Sequence, residues 1–180
     1  MTTKVITNPV RLSYVHLLEP SSAFEGNDPK YSAVILIPKE DKETLEKIRA
    51  AQKQALEDGK STKFNGKIPP NWKSTLRDGD TDADLERNPE YAGHYFMSVS
   101  SSATRKPGIV DASLQQVISP DQVYSGVYAR VSINAFAFNV SGNKGVSFGL
   151  NNVQVLGYGD SLTGGATAEQ DFADFAEELL

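Results

Sequence analysis

The chain has 180 residues, a formal net charge of −5 and no cysteine. The absence of cysteine excludes disulfides, thiolate metal sites and cysteine nucleophiles. No apolar run approaches the roughly 18 residues that a membrane span requires, and the N-terminal residues lack the apolar segment of a secretory signal. We therefore expect one globular domain in the cytoplasm, with no membrane partner.

The negative charge is concentrated at the C-terminus. Residues 160–180 contain six acidic residues and no lysine or arginine, leaving 17 of the 23 acidic and all 18 basic residues in 1–159, a balance of +1. This asymmetry predicts a main domain over 1–159 and a flexible acidic tail over 160–180. Such a tail is typical of nucleic-acid-binding domains, and it also serves simply for solubility.

The N-terminal third predicts two strands and a helix. Residues 10–18 and 31–37 have the short apolar runs of strands, and the second run ends at Pro38. Apolar residues then recur at helical spacing over about 41–58. Asp41 is the expected N-cap, and Gly59 is expected just beyond the helix end.

The remaining residues predict a long insertion and three further strands. Residues 59–93 are rich in Gly, Pro and charge, whereas 94–101, 127–139 and 146–156 read as strands. A change of apolar parity at 149–152 predicts a β-bulge. This order predicts a mainly β fold: a five-stranded antiparallel OB-fold barrel with one helix, a long loop insertion and the acidic tail. A β-sandwich is the alternative.

The strand over 127–139 carries the clearest functional signal. One parity is entirely apolar, and the other contains Tyr128, Arg130, Phe136 and Phe138. Strand alternation sends the two sets to opposite faces. Aromatic rings beside cations are what a single-stranded nucleic-acid surface needs, because bases stack on the rings and cations neutralise phosphates. The alternative for the phenylalanines is packing beneath the helix or the insertion.

We extend this hypothesis to other cations and aromatics of the loops and strand ends. Arg105 and Lys106 form the strongest local basic cluster, and Lys144 lies in a Gly-Asn-Lys-Gly turn. The predicted phosphate-binding residues are Lys30, Lys73, Arg77, Arg105, Lys106, Arg130 and Lys144. The predicted base platforms are Trp72, Tyr95, Tyr128, Phe136 and Phe138, with Phe96 replacing Tyr95 if that strand faces the other way.

Enzymatic signatures are missing from the sequence. There is no phosphate-binding loop, dinucleotide fingerprint or serine-hydrolase motif, and only two histidines occur. The acidic run 78–84 resembles a calcium loop, but an EF-hand starting at Asp78 would need Gly at Ala83 and Glu at Pro89. We therefore expect no catalytic residue, metal or cofactor. A metal-dependent phosphodiesterase using the acidic run stays open as an alternative.

The end of the tail alternates acids with large apolar residues. Such a segment can lie in a basic groove or dock on a protein partner, and it can also form a short helix that caps the domain. The predicted partner-binding residues are Asp171, Phe172, Asp174, Phe175, Glu177 and Glu178.

Several segments in register resemble one family. They are KYSAVILIPK at 30–39, LRDGD at 76–80, GHYF at 93–96, KPGIVD at 106–111, YSGVYAR at 124–130, and GNKG at 142–145 followed by GLNNVQ at 149–154. Their order, over roughly residues 4–160, is similar to that of the bacteriophage single-stranded-DNA-binding proteins.

The resemblance implies an OB-fold and sequence-independent binding of single-stranded DNA in phage replication, recombination or repair. It also implies that the tail recruits phage or host replication proteins, although this chain ends in Leu179-Leu180 where such tails end near an aromatic residue. A structural or protein-interaction module of a phage is the alternative function.

Overall fold

A computed structural model describes residues 2–22 and 28–157. This part of the chain contains one α-helix and strands of very different length. The elements are β1 (Lys4–Ile6), β2 (Val10–Ser21), β3 (Lys30–Pro38), α1 (Lys42–Gly59), β4 (Lys73–Ser74), β5 (Arg77–Asp78), a 3-10 turn (Pro89–Tyr91), β6 (His94–Ser102), β7 (Gly108–Val110), β8 (Tyr128–Val140) and β9 (Asn143–Gly157).

The five long strands close into a barrel in the order β2, β3, β6, β9, β8 and back to β2. Four of these five pairings are antiparallel. The contact between β6 and β9, where Ser100 lies beside Gly149, is parallel. The OB-type barrel predicted from the sequence is thus present, and its closing pairing differs from the all-antiparallel arrangement that was expected.

Strand alternation divides each long strand between the barrel interior and the outer surface. The apolar parity of β8 is buried as predicted, with Ile133 completely inaccessible. The predicted bulge in β9 is also present, because Ser132 pairs with Asn152 while Ile133 pairs with Leu150. The extra residue moves Val153 to the buried face that Leu150 occupies before the bulge.

Helix α1 packs its apolar stripe against β8 and β1. The Asp41 carboxylate accepts a hydrogen bond from the Thr44 backbone N–H at 3.2 Å, which confirms the predicted N-cap. The predicted C-terminal boundary is one residue early, because Gly59 is the last helical residue and Lys60 caps the helix. Gly59 is needed for close packing, since a Cβ there would lie 2.5 Å from that of Ala137.

The predicted insertion is not structureless. It contributes β4, which pairs with β9, and β5, which pairs with β6, so that it follows the outer surface of the barrel. Among the residues that the structure describes, no helix combines the length and apolar character that crossing a bilayer requires.

The buried parity of β8 gives a stability prediction. Ile133→Ala removes a side chain from the barrel interior, and it should lower the free energy of unfolding by about 2–5 kcal/mol, measured by urea titration. Ile118→Ala is the matched control, because Ile118 is 73% exposed, and it should change stability by no more than about 0.5 kcal/mol. Equal effects of the two substitutions would contradict the assigned core.

Candidate nucleic-acid interface

The outer face of β6 forms the floor of a groove. Phe96, Ser98 and Ser100 have the outward parity, while Met97 and Val99 are buried in the core. Val34 lies opposite Ser98, and Ser32 lies opposite Ser100. Small side chains in the middle of this face leave open space and present hydroxyl groups.

The central groove above this floor has a volume of about 910 Å³. The insertion forms one wall, and Phe138 with Ser147 forms the other. Its lining residues are Tyr14, Val34, Lys73, Ser74, Thr75, Arg77, Asp82, Ala83, Asp84, Asn88, Tyr91, Phe96, Ser98, Ser100, Phe138 and Ser147.

Two smaller cavities meet the central groove at Ser100. The Arg105 pocket, of about 500 Å³, is lined by Ser100, Ser101, Ser102, Arg105, Asn134, Phe136, Gly149, Leu150 and Asn151. The Lys30 pocket, of about 590 Å³, is lined by His16, Ser21, Asp28, Lys30, Ser32, Ser98 and Ser100. Because Ser100 lines all three, they form one continuous concave surface.

Lys39 holds the insertion in place as a wall. Its Nζ lies 2.6 Å from a carboxylate oxygen of both Asp78 and Asp80. Asp80 also accepts a hydrogen bond from the Gly93 N–H at 3.0 Å. Hydrogen bonds from Lys39 hold the pKa of both carboxyls below the ordinary aspartate value, and those bonds raise the pKa of Lys39 well above its usual range.

These contacts give the acidic run a structural role. Asp82 accepts a hydrogen bond from the Asp78 N–H, and Asp84 accepts bonds from the N–H groups of Glu86 and Arg87. Residues 2–22 and 28–157 contain no group of three or more His, Asp or Glu side chains arranged to hold a metal ion.

Two tyrosines join the insertion to β2. Tyr91 is buried and its hydroxyl donates to the Ser13 Oγ at 3.2 Å, while its ring lies 5.0 Å from that of Phe96. Burial raises the pKa of the Tyr91 hydroxyl, although the bond to Ser13 acts in the opposite direction. Tyr14 is 51% exposed, and its hydroxyl donates to Asn88 at 3.0 Å. The groove therefore has aromatic rings on both sides.

Gly145 brings a cation and a ring together at one end of the groove. It pairs with Lys73 of β4 and with Phe138 of β8. A Cβ at this position would overlap the Lys73 carbonyl and lie 2.9 Å from the Phe138 ring. Glycine is thus required for both residues to line the groove.

Several predicted site residues do meet on this surface. Lys73, Arg77 and Phe138 line the central groove. Arg77 of β5 lies directly opposite Phe96 of β6. Arg105 and Phe136, which is 47% exposed, line the Arg105 pocket, and Lys30 lines the Lys30 pocket. Lys106 is exposed in the same turn as Arg105 without lining these cavities.

Other predicted residues lie elsewhere. Tyr128 is eight residues from Phe136, about 26 Å along β8, and its ring lies under the Arg11 guanidinium. Arg130 is near that distant end, where its Nε donates to the Thr7 carbonyl at 3.1 Å. Trp72 is partly buried against the core.

Two predicted residues face away from this groove. Tyr95 has the inward parity of β6 and is covered by Lys39 and Arg49, so Phe96 takes the place in the groove that was predicted for Tyr95. Lys144 pairs with Asn139, one residue beyond the Phe138–Gly145 pair, and therefore faces away from the groove. The predicted tail residues 171–178 lie outside the described residues.

Tyr14 and the serine floor were not predicted from the sequence. Tyr14 has a positive φ of 47° at a bulge where the register of β2 with β3 shifts. A left-handed conformation costs a non-glycine residue about 1–2 kcal/mol, so the conformation is maintained by its surroundings. A signal existed, because the buried parity of β2 changes between Leu12 and Leu17, as it does in β9.

Comparison with known proteins gives one consistent family. The sequence model of the family described as "Enterobacter phage Enc34, ssDNA-binding protein" matches residues 3–180. Protein p50 of Acyrthosiphon pisum secondary endosymbiont phage 1 is 32% identical, over 98% of each chain.

Solved structures agree at the level of the fold. The single-stranded DNA-binding protein from bacteriophage Enc34 in complex with ssDNA is 24% identical, with a TM-score of 0.70 and 88% of each chain covered. A second structure of the single-stranded DNA-binding protein from bacteriophage Enc34 is 22% identical, with a TM-score of 0.71, and the match covers 96% of this chain and 90% of that one. The bacteriophage T7 protein gp2.5, a single-stranded DNA-binding protein, is 13% identical, with a TM-score of 0.64. The match covers 97% of this chain and 94% of that one.

The Lys39 contacts predict how the groove wall responds to acid. Because the pKa values of Asp78 and Asp80 are lowered in the folded protein, their ion pairs with Lys39 stabilise the fold fully at neutral pH. This stabilisation begins to fall below the ordinary aspartate pKa of about 3.9 and is lost as pH falls through the lowered values. Lys39→Met should raise both pKa values towards the ordinary one, measured by NMR titration of the carboxyl carbons. Lys42→Met, a neighbouring exposed lysine, is the control. Unchanged Asp78 and Asp80 pKa values in Lys39→Met would contradict the contacts.

Proposed function

This chain belongs to the Enterobacter phage Enc34 ssDNA-binding protein family, and on that premise we propose that it binds single-stranded DNA without sequence preference along the central groove. The observation that carries the proposal is the serine floor with aromatic rings and cations at its sides. Phe96 and Phe138 offer ring faces, and Lys73 and Arg77 offer charges. Tyr14 adds a further platform.

The chemistry of this surface favours any sequence over a particular one. Stacking contributes about 1–3 kcal/mol per base and is available to every base, because each has a π-face. The hydroxyl groups of Ser98 and Ser100 both donate and accept, so they accommodate varied base edges.

The cations are sparse, so stacking must contribute much of the affinity. Asp82 and Asp84 lie on the same wall as Arg77, and their negative charges offset part of the attraction for phosphates. We infer that the protein coats and protects single strands during phage DNA replication, recombination or repair, in the host cytoplasm. We expect it to need no cofactor and to catalyse no reaction, with its acidic tail modulating binding or recruiting replication proteins.

Titration of intrinsic fluorescence with an unstructured oligonucleotide tests the function itself. Saturable quenching should appear at low salt and weaken as salt rises, because cations of the groove replace counterions on the phosphates. Duplex DNA of the same length is the control and should bind more weakly. An absence of quenching at low salt, or cleavage of the oligonucleotide with added magnesium, would contradict the proposal.

A pair of substitutions on one face of β8 tests the assignment of stacking residues. Phe136→Ala should weaken binding by about 1–3 kcal/mol, or roughly 5- to 150-fold, because it removes an exposed ring beside the floor. Tyr128→Ala removes another exposed ring of the same strand at the distant end, and it should leave affinity unchanged. Equal losses of affinity in the two variants would show that the bound DNA does not follow this groove.

A pair of substitutions in the insertion tests the phosphate contacts. Arg77→Gln should reduce the slope of log affinity against log salt by about 0.7, the value for one phosphate on a single strand. Arg87→Gln, an exposed arginine of the same insertion that does not line the groove, should leave the slope unchanged. A slope that is unaltered by Arg77→Gln would remove Arg77 from the interface.

A further inference from the structure

Two sequence segments near the tip of the β8–β9 hairpin carry a local excess of positive charge. Residues 59–77 contain five basic residues and no acidic one, and residues 136–149 add Lys144 and no acidic one. Residues 1–159 have a net charge of only +1, so these six basic residues are a strong local excess of positive charge. Lys63, Lys67 and Lys144, like Lys60 at the helix end, do not line the groove and form no ion pair with any residue in the described part of the chain.

The turn that follows α1 fixes these lysines next to the hairpin. The Asn139 side chain donates to the Lys63 carbonyl at 3.0 Å, and Asn139 is also the cross-strand partner of Lys144. Lys67 lies in the same turn, where its N–H donates to the Phe64 carbonyl at 3.2 Å and the Phe64 ring is buried in the core. The side chains of Lys63 and Lys67 are exposed.

Lys73 connects this surface to the groove. Its Nζ donates to Asn143 at the hairpin tip at 3.0 Å, and its backbone pairs with Gly145. Phe138 and Gly145 face the groove, whereas the next pair, Asn139 and Lys144, faces the other side of the hairpin. Cations are therefore present on the groove side, at the tip and on the far side.

We propose that Lys63, Lys67 and Lys144 form a second phosphate-binding site, on which single-stranded DNA continues after it leaves the groove at Lys73. We name these three residues the tip lysines. The inference rests on the proposed function, since it extends the same bound strand. Longer strands then gain contacts that short ones lack, which makes the tip lysines a determinant of site size.

Two other roles for these lysines are physically reasonable. Lysines near a helix C-terminus interact favourably with its carbonyl groups, and a basic surface also attracts an acidic segment such as residues 160–180 of this chain. Neither role makes the salt dependence of DNA binding vary with DNA length. That dependence is therefore the discriminating measurement.

The experiment compares oligothymidylates of about 4 and about 16 nucleotides, the two ends of the range for one OB-fold. Affinity of the full chain is measured over a range of salt concentrations for both lengths. Lys63→Gln combined with Lys67→Gln should reduce the slope for the long strand by about 1.4, or about 0.7 per phosphate, and leave the short strand unchanged. Lys144→Gln alone should reduce the long-strand slope by about 0.7.

The matched control is Lys4→Gln combined with Lys42→Gln. It removes the same charge from exposed positions away from the hairpin tip, and it should not alter either slope. A wild-type slope for the long strand in both tip variants, or tighter binding of that strand, would overturn the second site, and persistent binding of the short strand would leave the proposed function intact. Failure of the wild-type chain to bind either strand would instead contradict the proposed function itself.

Discussion

The parallel contact between β6 and β9 closes the barrel and determines where the groove lies. At this contact Ser100 of β6 lies beside Gly149 of β9. Without it, the outer face of β6 would not adjoin the aromatic residues that β8 presents through its pairing with β9. The three cavities meet at Ser100 for the same reason. The interface is therefore a consequence of barrel closure rather than of any single loop.

The small residues at the barrel closure and the larger residues around it have different roles in the groove. Serine hydroxyls and the glycine leave room for a strand, while Phe96, Phe136 and Phe138 provide the rings. The insertion adds the opposite wall, and its contacts include the ion pairs of Asp78 and Asp80 with Lys39 and the pairing of β4 and β5 with the barrel. A main domain that is close to neutral can hold a polyanion only if its cations are concentrated along the path. The hairpin tip shows such a concentration.

Local patterns predicted much of the barrel. The strict alternation in β8 and the parity change in β9 each reflect which residues are buried, so both the core and the bulge could be recognised. The end of α1 could not, because Gly59 was interpreted as a helix terminator although it serves close packing against Ala137. The acidic run likewise gave no sign of its partner, since Lys39 is distant from Asp78 and Asp80 in the sequence.

The site was harder to predict than the fold because the parity of a residue gives its face of the sheet but not its position in the barrel. Tyr128 and Phe136 share the outer face of β8, yet the strand is long enough to place them at opposite ends of the domain. Tyr95 and Phe96 could not be distinguished until the register of β6 was known. Tyr14 was missed because the parity change in β2, which marks the bulge that turns this residue outwards, was not recognised.

If single-stranded DNA follows the serine-floored groove, its bases lie beside the aromatic rings that line the groove. Photo-crosslinking with a bromodeoxyuridine-substituted oligonucleotide, followed by mass-spectrometric mapping of the modified peptides, tests this path directly. We expect adducts at the groove aromatics Tyr14, Phe96 and Phe138, with Phe136 beside them. Adducts confined to Tyr95 and Tyr128, which do not line the groove, would contradict this path.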